Sequence, residues 1–173
     1  MKAVPYLTTI FLLTILSCRN NSKPTKTAKR SLEKDTTILQ SRQKVVYDAP
    51  IVDITNDKDA PDRKQILDAI RPEVEKELKQ PVKIRVRGLS LMGNFAFLNG
   101  VAKNAKGQSI DYASTVYARQ VKEGFFDDNL FAICKKENGN WKCLQYYIGC
   151  TDACFWEWPD KYGLSKKLFG LDE

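Results

Sequence analysis

Val82-Lys-Ile-Arg-Val-Arg-Gly-Leu-Ser-Leu-Met-Gly-Asn-Phe-Ala-Phe97 is the stretch that decides the fold class. Val82, Ile84 and Val86 alternate with Lys83, Arg85 and Arg87, and the alternation continues to Leu89 and Leu91, as in a half-buried β-strand. Gly93-Asn94 offers a tight turn into Phe95-Ala-Phe-Leu-Asn-Gly-Val101, so two antiparallel strands are expected. Just upstream the period is different. From about Pro61 to Lys79, Ile66, Ile70, Val74 and Leu78 recur every four residues, Leu67 widens the stripe, and charged residues fill the rest. That is an amphipathic helix. Pro61 suits a first turn, Asp59 and Asp62 bring negative charge to it, and Gln80-Pro81 ends it. Pro72 lies inside the pattern and predicts a kink or break near Arg71.

Downstream, Asn104 to Gly107 is a turn signal leading to a third strand around Tyr112 to Gln120, rich in Thr, Val and Tyr. A loop at Lys122 to Asn129 follows. Leu130 to Lys135 and Trp141 to Ile148 then flank Asn138-Gly139, the strongest short hairpin signal. Phe155 to Phe169 is aromatic enough to close the end of the sheet as a short helix. The expected class is α+β, an N-terminal amphipathic helix packed on a curved antiparallel sheet of about four to five strands. Cystatin-like and nuclear-transport-factor-like domains are the nearest analogies. Residues 61–173 form this single domain. Residues 45–60, interrupted by Pro50, form an extended arm that is coil or a short edge strand.

The other end of the chain carries an address. Lys2 and an apolar run from Tyr6 to Leu16 read as a signal peptide over residues 1–17, too short for an ordinary membrane span. Ile15-Leu-Ser-Cys18 resembles the lipobox of bacterial lipoproteins, which implies a diacylglycerol-modified Cys18 at the mature N-terminus. Residues 18–44 are then a lipidated cysteine and a disordered polar tether. The formal charge of +7 falls to +6 once Lys2, the one charged residue before Cys18, is removed. Eight basic residues between Arg19 and Lys44 supply most of the excess, so the charge describes a solvated tail more than a binding face. Nucleic acid is not an expected partner. The chain has no histidine, which removes the commonest general base near neutral pH and the commonest transition-metal ligand.

Four further cysteines, Cys134, Cys143, Cys150 and Cys154, suit disulfides in an oxidising compartment. A two-residue turn at Asn138-Gly139 pairs Cys134 with Cys143 at a non-hydrogen-bonded position, where Cα atoms lie ~4.5 Å apart, within reach of a bridge. Cys150 and Cys154 then close the loop Thr151-Asp-Ala153. A four-thiolate zinc site matches the count but lacks paired C-x-x-C knuckles. A redox role for Cys134 and Cys143 lacks the helix N-terminus that lowers a thiol pKa, so a structural staple is the preferred reading.

The ordered blocks Asp62-Arg-Lys-Gln-Ile-Leu-Asp-Ala-Ile-Arg-Pro72, Asn94-Phe-Ala-Phe97, Gly124-Phe-Phe-Asp127, Gly139-Asn-Trp-Lys142 and Ile148-Gly-Cys-Thr-Asp152 resemble a group of poorly characterised exported bacterial proteins over about residues 60–169. The resemblance implies export and a small α+β domain and transfers no catalytic residue.

Candidate binding residues are Asp127, Asp152, Trp156 and Trp158. Asp127 and Asp128 are two carboxylates on a loop, able in principle to act as acid and base or to hold a hard cation, but calcium-loop spacing is absent. Turn capping explains them more simply. Asp152 lies inside the Cys150 to Cys154 loop beside Trp156 and Trp158. Aromatic residues there either fill the core or stack on a ligand. No nucleophile elbow, S-x-x-K pattern or phosphate loop is present, so no cofactor or metal is expected. The expected function is a non-catalytic envelope lipoprotein held by its lipid at the periplasmic face or cell surface, binding a protein or peptidoglycan ligand. The alternatives are a small pocket enzyme using Asp127 or Asp152 in a closed cavity, and an inhibitor or immunity-type protein with a protruding patch near Cys150 to Trp158.

Overall fold

A computed structural model describes residues 46–171. The signal peptide, Cys18 and the tether therefore lie outside the described residues. The elements in chain order are β1 (Ile51–Asp53), α1 (Pro61–Leu78), β2 (Val82–Met92), β3 (Phe95–Asn104), α2 (Ala118–Glu123), β4 (Asn129–Glu137), β5 (Asn140–Ile148) and α3 (Trp158–Tyr162). Two 3-10 turns, Tyr112–Ser114 and Lys166–Phe169, complete them. The five strands form one antiparallel meander in the order β1-β2-β3-β4-β5. The class is α+β.

α1 buries Ile66, Ile70, Val74 and Leu78, the stripe seen in the sequence. These side chains join Leu89, Ala96, Leu98, Leu130, Ala132, Cys134, Trp141 and Ile148 in one core cluster. The intervening residues of the central strands face the opposite way. Phe97, Phe131 and Ile133 pack with Phe155, Trp158, Leu164, Leu168 and Phe169 in a second cluster. β3 and β4 are thus covered on both faces, and for that reason Leu130-Phe-Ala-Ile-Cys134 is a continuous apolar run. The C-terminal segment covers a sheet face; it was expected to close the sheet's end.

Pro72 neither ends nor splits α1, which runs unbroken for 18 residues. The proline lies on the exposed side of the helix, while the buried stripe on the other side holds both halves to the sheet. The third strand expected at Tyr112 to Gln120 is instead a 3-10 turn followed by α2. Local polar chemistry overrides β-propensity here. Asp111 accepts a hydrogen bond from Ala113 N, and Thr115 Oγ1 donates to Tyr112 O at 2.7 Å and accepts from Tyr117 N. Tyr112, Tyr117 and Phe126 then gather with ring centroids 4.5–6.3 Å apart, Tyr112 and Tyr117 edge to face and both tilted against Phe126, a stabilising arrangement for aromatic rings. Phe126 also packs onto Gly149, whose φ of +87° and lack of a side chain make room for the ring.

The β4–β5 turn follows the sequence closely. Asn138 and Gly139 have φ of 51° and 79°, the pair of positive values that a type I′ turn needs. Glu137 pairs with Asn140, Lys136 with Trp141, Lys135 with Lys142 and Cys134 with Cys143. Beyond Cys143 a bulge absorbs Leu144 before Gln145 meets Ile133.

Candidate functional site

The Cys150–Cys154 disulfide is present, with Cα atoms 6.1 Å apart. Cys154 N donates to Asp152 O at 2.8 Å and Trp156 N to Ala153 O at 2.9 Å, winding the chain into successive turns. The side chains that follow the bridge turn both ways, Phe155 and Trp158 inward and Trp156 and Glu157 outward. Phe155 is buried against Phe97 and Phe131, at centroid separations of 4.8 and 4.7 Å, and Trp158 is 1% exposed and stacked on Tyr147. Between them Trp156 is 62% exposed. A covalent staple on one side and two core aromatics therefore hold one indole out in solvent. Lys166 Nζ lies 5.8 Å from its ring centre, within cation–π range. Lys166 also lines a shallow groove of about 250 Å³ with Val46, Pro159, Asp160, Leu164 and Ser165.

The other sequence candidates do not converge on this indole. Trp158 is a core residue and offers no surface to a ligand. Asp127 is exposed, and its carboxylate accepts hydrogen bonds from Asp128 N at 2.6 Å and Asn129 Nδ2 at 2.7 Å. It serves its own turn. Asn129 also donates to Cys150 O at 3.2 Å, and Asp127 N donates to Gly149 O, so the turn is pinned to the start of the bridged loop. Asp152 is exposed within the loop. Asp128, which was not singled out as a binding residue, is the carboxylate with cationic partners, Arg87 at 2.9 Å and Lys103 at 3.8 Å. Arg87 sits at a bulge between Val86 and Gly88, an irregularity that strict alternation does not announce.

The expected bridge between Cys134 and Cys143 is not formed in this structure; both are thiols. They face each other at the expected register, in hydrogen-bonding contact. Cys134 donates to Cys143, and this, together with burial, pushes the Cys134 thiol well above the ordinary range. The same hydrogen bond lowers Cys143. Cys134 is 0% exposed, whereas Cys143 lines a groove of about 470 Å³ with Glu73, Glu77, Leu144, Gln145 and Tyr146. At its rim Glu77 accepts hydrogen bonds from the hydroxyls of Tyr117 and Tyr146, the latter at 2.5 Å. Burial and this carboxylate raise both phenols above their ordinary pKa.

Among the described residues no group of three or more His, Cys, Asp and Glu side chains is placed to hold a metal ion. None of the described helices is long and apolar enough to cross a membrane. Comparison with protein-family models, curated proteins and solved structures finds no match for this chain.

Proposed function

We propose that this chain is an exported lipoprotein, anchored through an acylated Cys18, whose domain acts by binding and presents Trp156 to its partner. The observation that carries the binding reading is the exposure of that indole on a loop fixed by the Cys150–Cys154 bridge. Holding a large apolar side chain in water gains nothing for the fold, while burying it in a complex supplies up to 150–250 Å² of contact at little entropic cost. Lys166 beside the ring adds a positive charge, which suits an acidic peptide or a carboxylate-bearing wall polymer. The domain is read as cystatin-like, α1 lying across a curved sheet, in the manner of the exported family suggested by the sequence blocks. The acyl anchor would hold it at the periplasmic face or the cell surface.

An inhibitor or immunity-type role is favoured over the pocket enzyme by the same exposed tryptophan, which stands on the Cys150 to Trp158 loop where such a role places its contact surface. Asp127 is spent on its own turn and Asp152 is exposed, so neither sits in the enclosed cavity that a pocket enzyme requires. The test uses the mature, detergent-extracted protein against purified sacculi and against cross-linked envelope proteins. Trp156→Ala is expected to keep the wild-type melting temperature and to weaken retention at least tenfold. Undiminished retention by Trp156→Ala would overturn the reading.

A further inference from the structure

The two cysteine pairs of this domain differ in kind. Cys150 and Cys154 are bridged across a loop with Cα atoms 6.1 Å apart, within the usual disulfide range. Cys134 and Cys143 oppose each other across neighbouring strands. Counting out from the turn, Glu137–Asn140 is a hydrogen-bonded pair and Cys134–Cys143 a non-hydrogen-bonded one, the class with Cα atoms only ~4.5 Å apart. That lies at the short limit of what a disulfide spans, and a bridge forced to the limit is more easily reduced. Access is also asymmetric. Cys143 lines the groove between α1 and β5, and Cys134 lies fully buried behind it.

We propose that Cys134 and Cys143 form a thiol–disulfide exchange site, entered through Cys143, whose co-reactant is a neutral or cationic disulfide. In the oxidising direction the Cys143 thiolate attacks one sulfur of the external disulfide. A mixed disulfide forms at Cys143 and the first external thiol departs. Cys134 then loses its proton to solvent and attacks the Cys143 sulfur, so the internal bridge forms and the second external thiol leaves. One dithiol and one external disulfide become one internal disulfide and two external thiols. Lowering of the Cys143 thiol by its hydrogen bond from Cys134 agrees with Cys143 as the attacking group. Burial of Cys134, which also raises its thiol, persists in the mixed disulfide and makes the second step the slower one.

The choice of co-reactant follows from the groove wall. Glu73 and Glu77, one turn apart on α1, flank Cys143. Among the described residues neither carboxylate has a basic ion-pair partner. Two negative charges beside the reacting sulfur disfavour an anionic disulfide and favour a cationic one.

The test is the reduced full-length protein in detergent, challenged with cystamine, hydroxyethyl disulfide or oxidised glutathione, quenched with acid and mapped by tryptic mass spectrometry so that Cys18 is scored separately. Cystamine is expected to oxidise the pair about tenfold faster than oxidised glutathione at low salt, with hydroxyethyl disulfide between them. Glu73→Gln should shrink that ratio several-fold. Cys134→Ala should stop at a mixed disulfide on Cys143, whereas Cys143→Ala should leave Cys134 unmodified until the protein is unfolded. Far-UV circular dichroism checks that both variants are folded. A pair that reacts only in urea, or a bridge that resists dithiothreitol in the native state, would show a buried structural staple and overturn the proposal. Equal rates with all three reagents would overturn the assigned charge preference.

Discussion

Trp158→Ala removes the largest fully buried side chain and tests whether the C-terminal segment is a structural layer of the domain. The indole is stacked on Tyr147 at a centroid distance of 5.3 Å and lies edge-on to Phe97 at 6.3 Å and Phe169 at 6.4 Å. Substitutions of this kind cost about 3–5 kcal/mol. Trp158 Nε1 has no hydrogen-bond partner, so the loss includes no broken hydrogen bond, and about 3–4 kcal/mol is expected. With unfolding entropy near 2.1 cal/mol/K per residue, this corresponds to a fall in Tm of roughly 10–15 °C for a domain of this size. Thermal melts by far-UV circular dichroism, supported by urea titrations, provide the measurement. Trp158→Phe keeps most of the apolar volume and removes an unpaired donor, so its cost should stay below ~1.5 kcal/mol. Trp156→Ala, two positions earlier and exposed, should stay within ~0.5 kcal/mol of wild type. A loss below ~1 kcal/mol for Trp158→Ala would refute the second core.

Three further outcomes follow from particular contacts. Burial pushes the Asp62 carboxyl up, but hydrogen bonds from Lys136 at 2.6 Å and Trp141 at 2.8 Å outweigh it, and its pKa lies below the ordinary value. A depressed folded pKa gives stability that is present above the unfolded value, near pH 4, and is lost as pH falls through the folded one. Asp62→Asn should therefore cost about 1 kcal/mol at pH 7, and the difference should shrink steadily as pH falls below about 4 in urea titrations. Pro72→Ala restores a helical hydrogen bond on the exposed side of α1 and should raise stability by about 1–3 kcal/mol, read as an increased urea midpoint. Gly149→Ala places a methyl group against the Phe126 ring at a φ of +87° and should cost at least ~2 kcal/mol, with loss of near-UV dichroism from the Tyr112, Tyr117 and Phe126 cluster.

The parts of the fold legible in the sequence are those in which one local rule acts alone. Ile66, Ile70, Val74 and Leu78 had only to find a sheet, and Asn138-Gly139 determined a turn and the register of four residue pairs. Where two rules compete, the sequence misleads. Tyr112 to Gln120 has strand composition, but Asp111 and Thr115 bind nearby backbone groups and turn it into helix. Pro72 breaks the local rule for helices, and a buried stripe along the rest of α1 overrides it. Leu130 to Cys134 held an unused signal, since a run with no polar alternation requires cover on both faces. The Phe155 to Phe169 segment provides the second cover.

The candidate site was readable in its covalent part and not in its orientation. Cys150 and Cys154 marked the loop, yet nothing in Phe-Trp-Glu-Trp says which indole turns inward. That is decided by packing against Phe97, Phe131 and Tyr147, contacts made across the sheet. Asp127 and Asp128 are adjacent and chemically identical, and only the bulge that positions Arg87 separates the ion-paired one from the one that caps its own turn.

The proposal that this domain is anchored through Cys18 is tested most directly by the intact mass of the membrane-extracted protein, with tryptic mapping of its N-terminal peptide. A chain beginning at Cys18 and carrying acyl groups on that residue is the predicted result. An unmodified Cys18, or a chain that retains Met1 to Ser17, would contradict it.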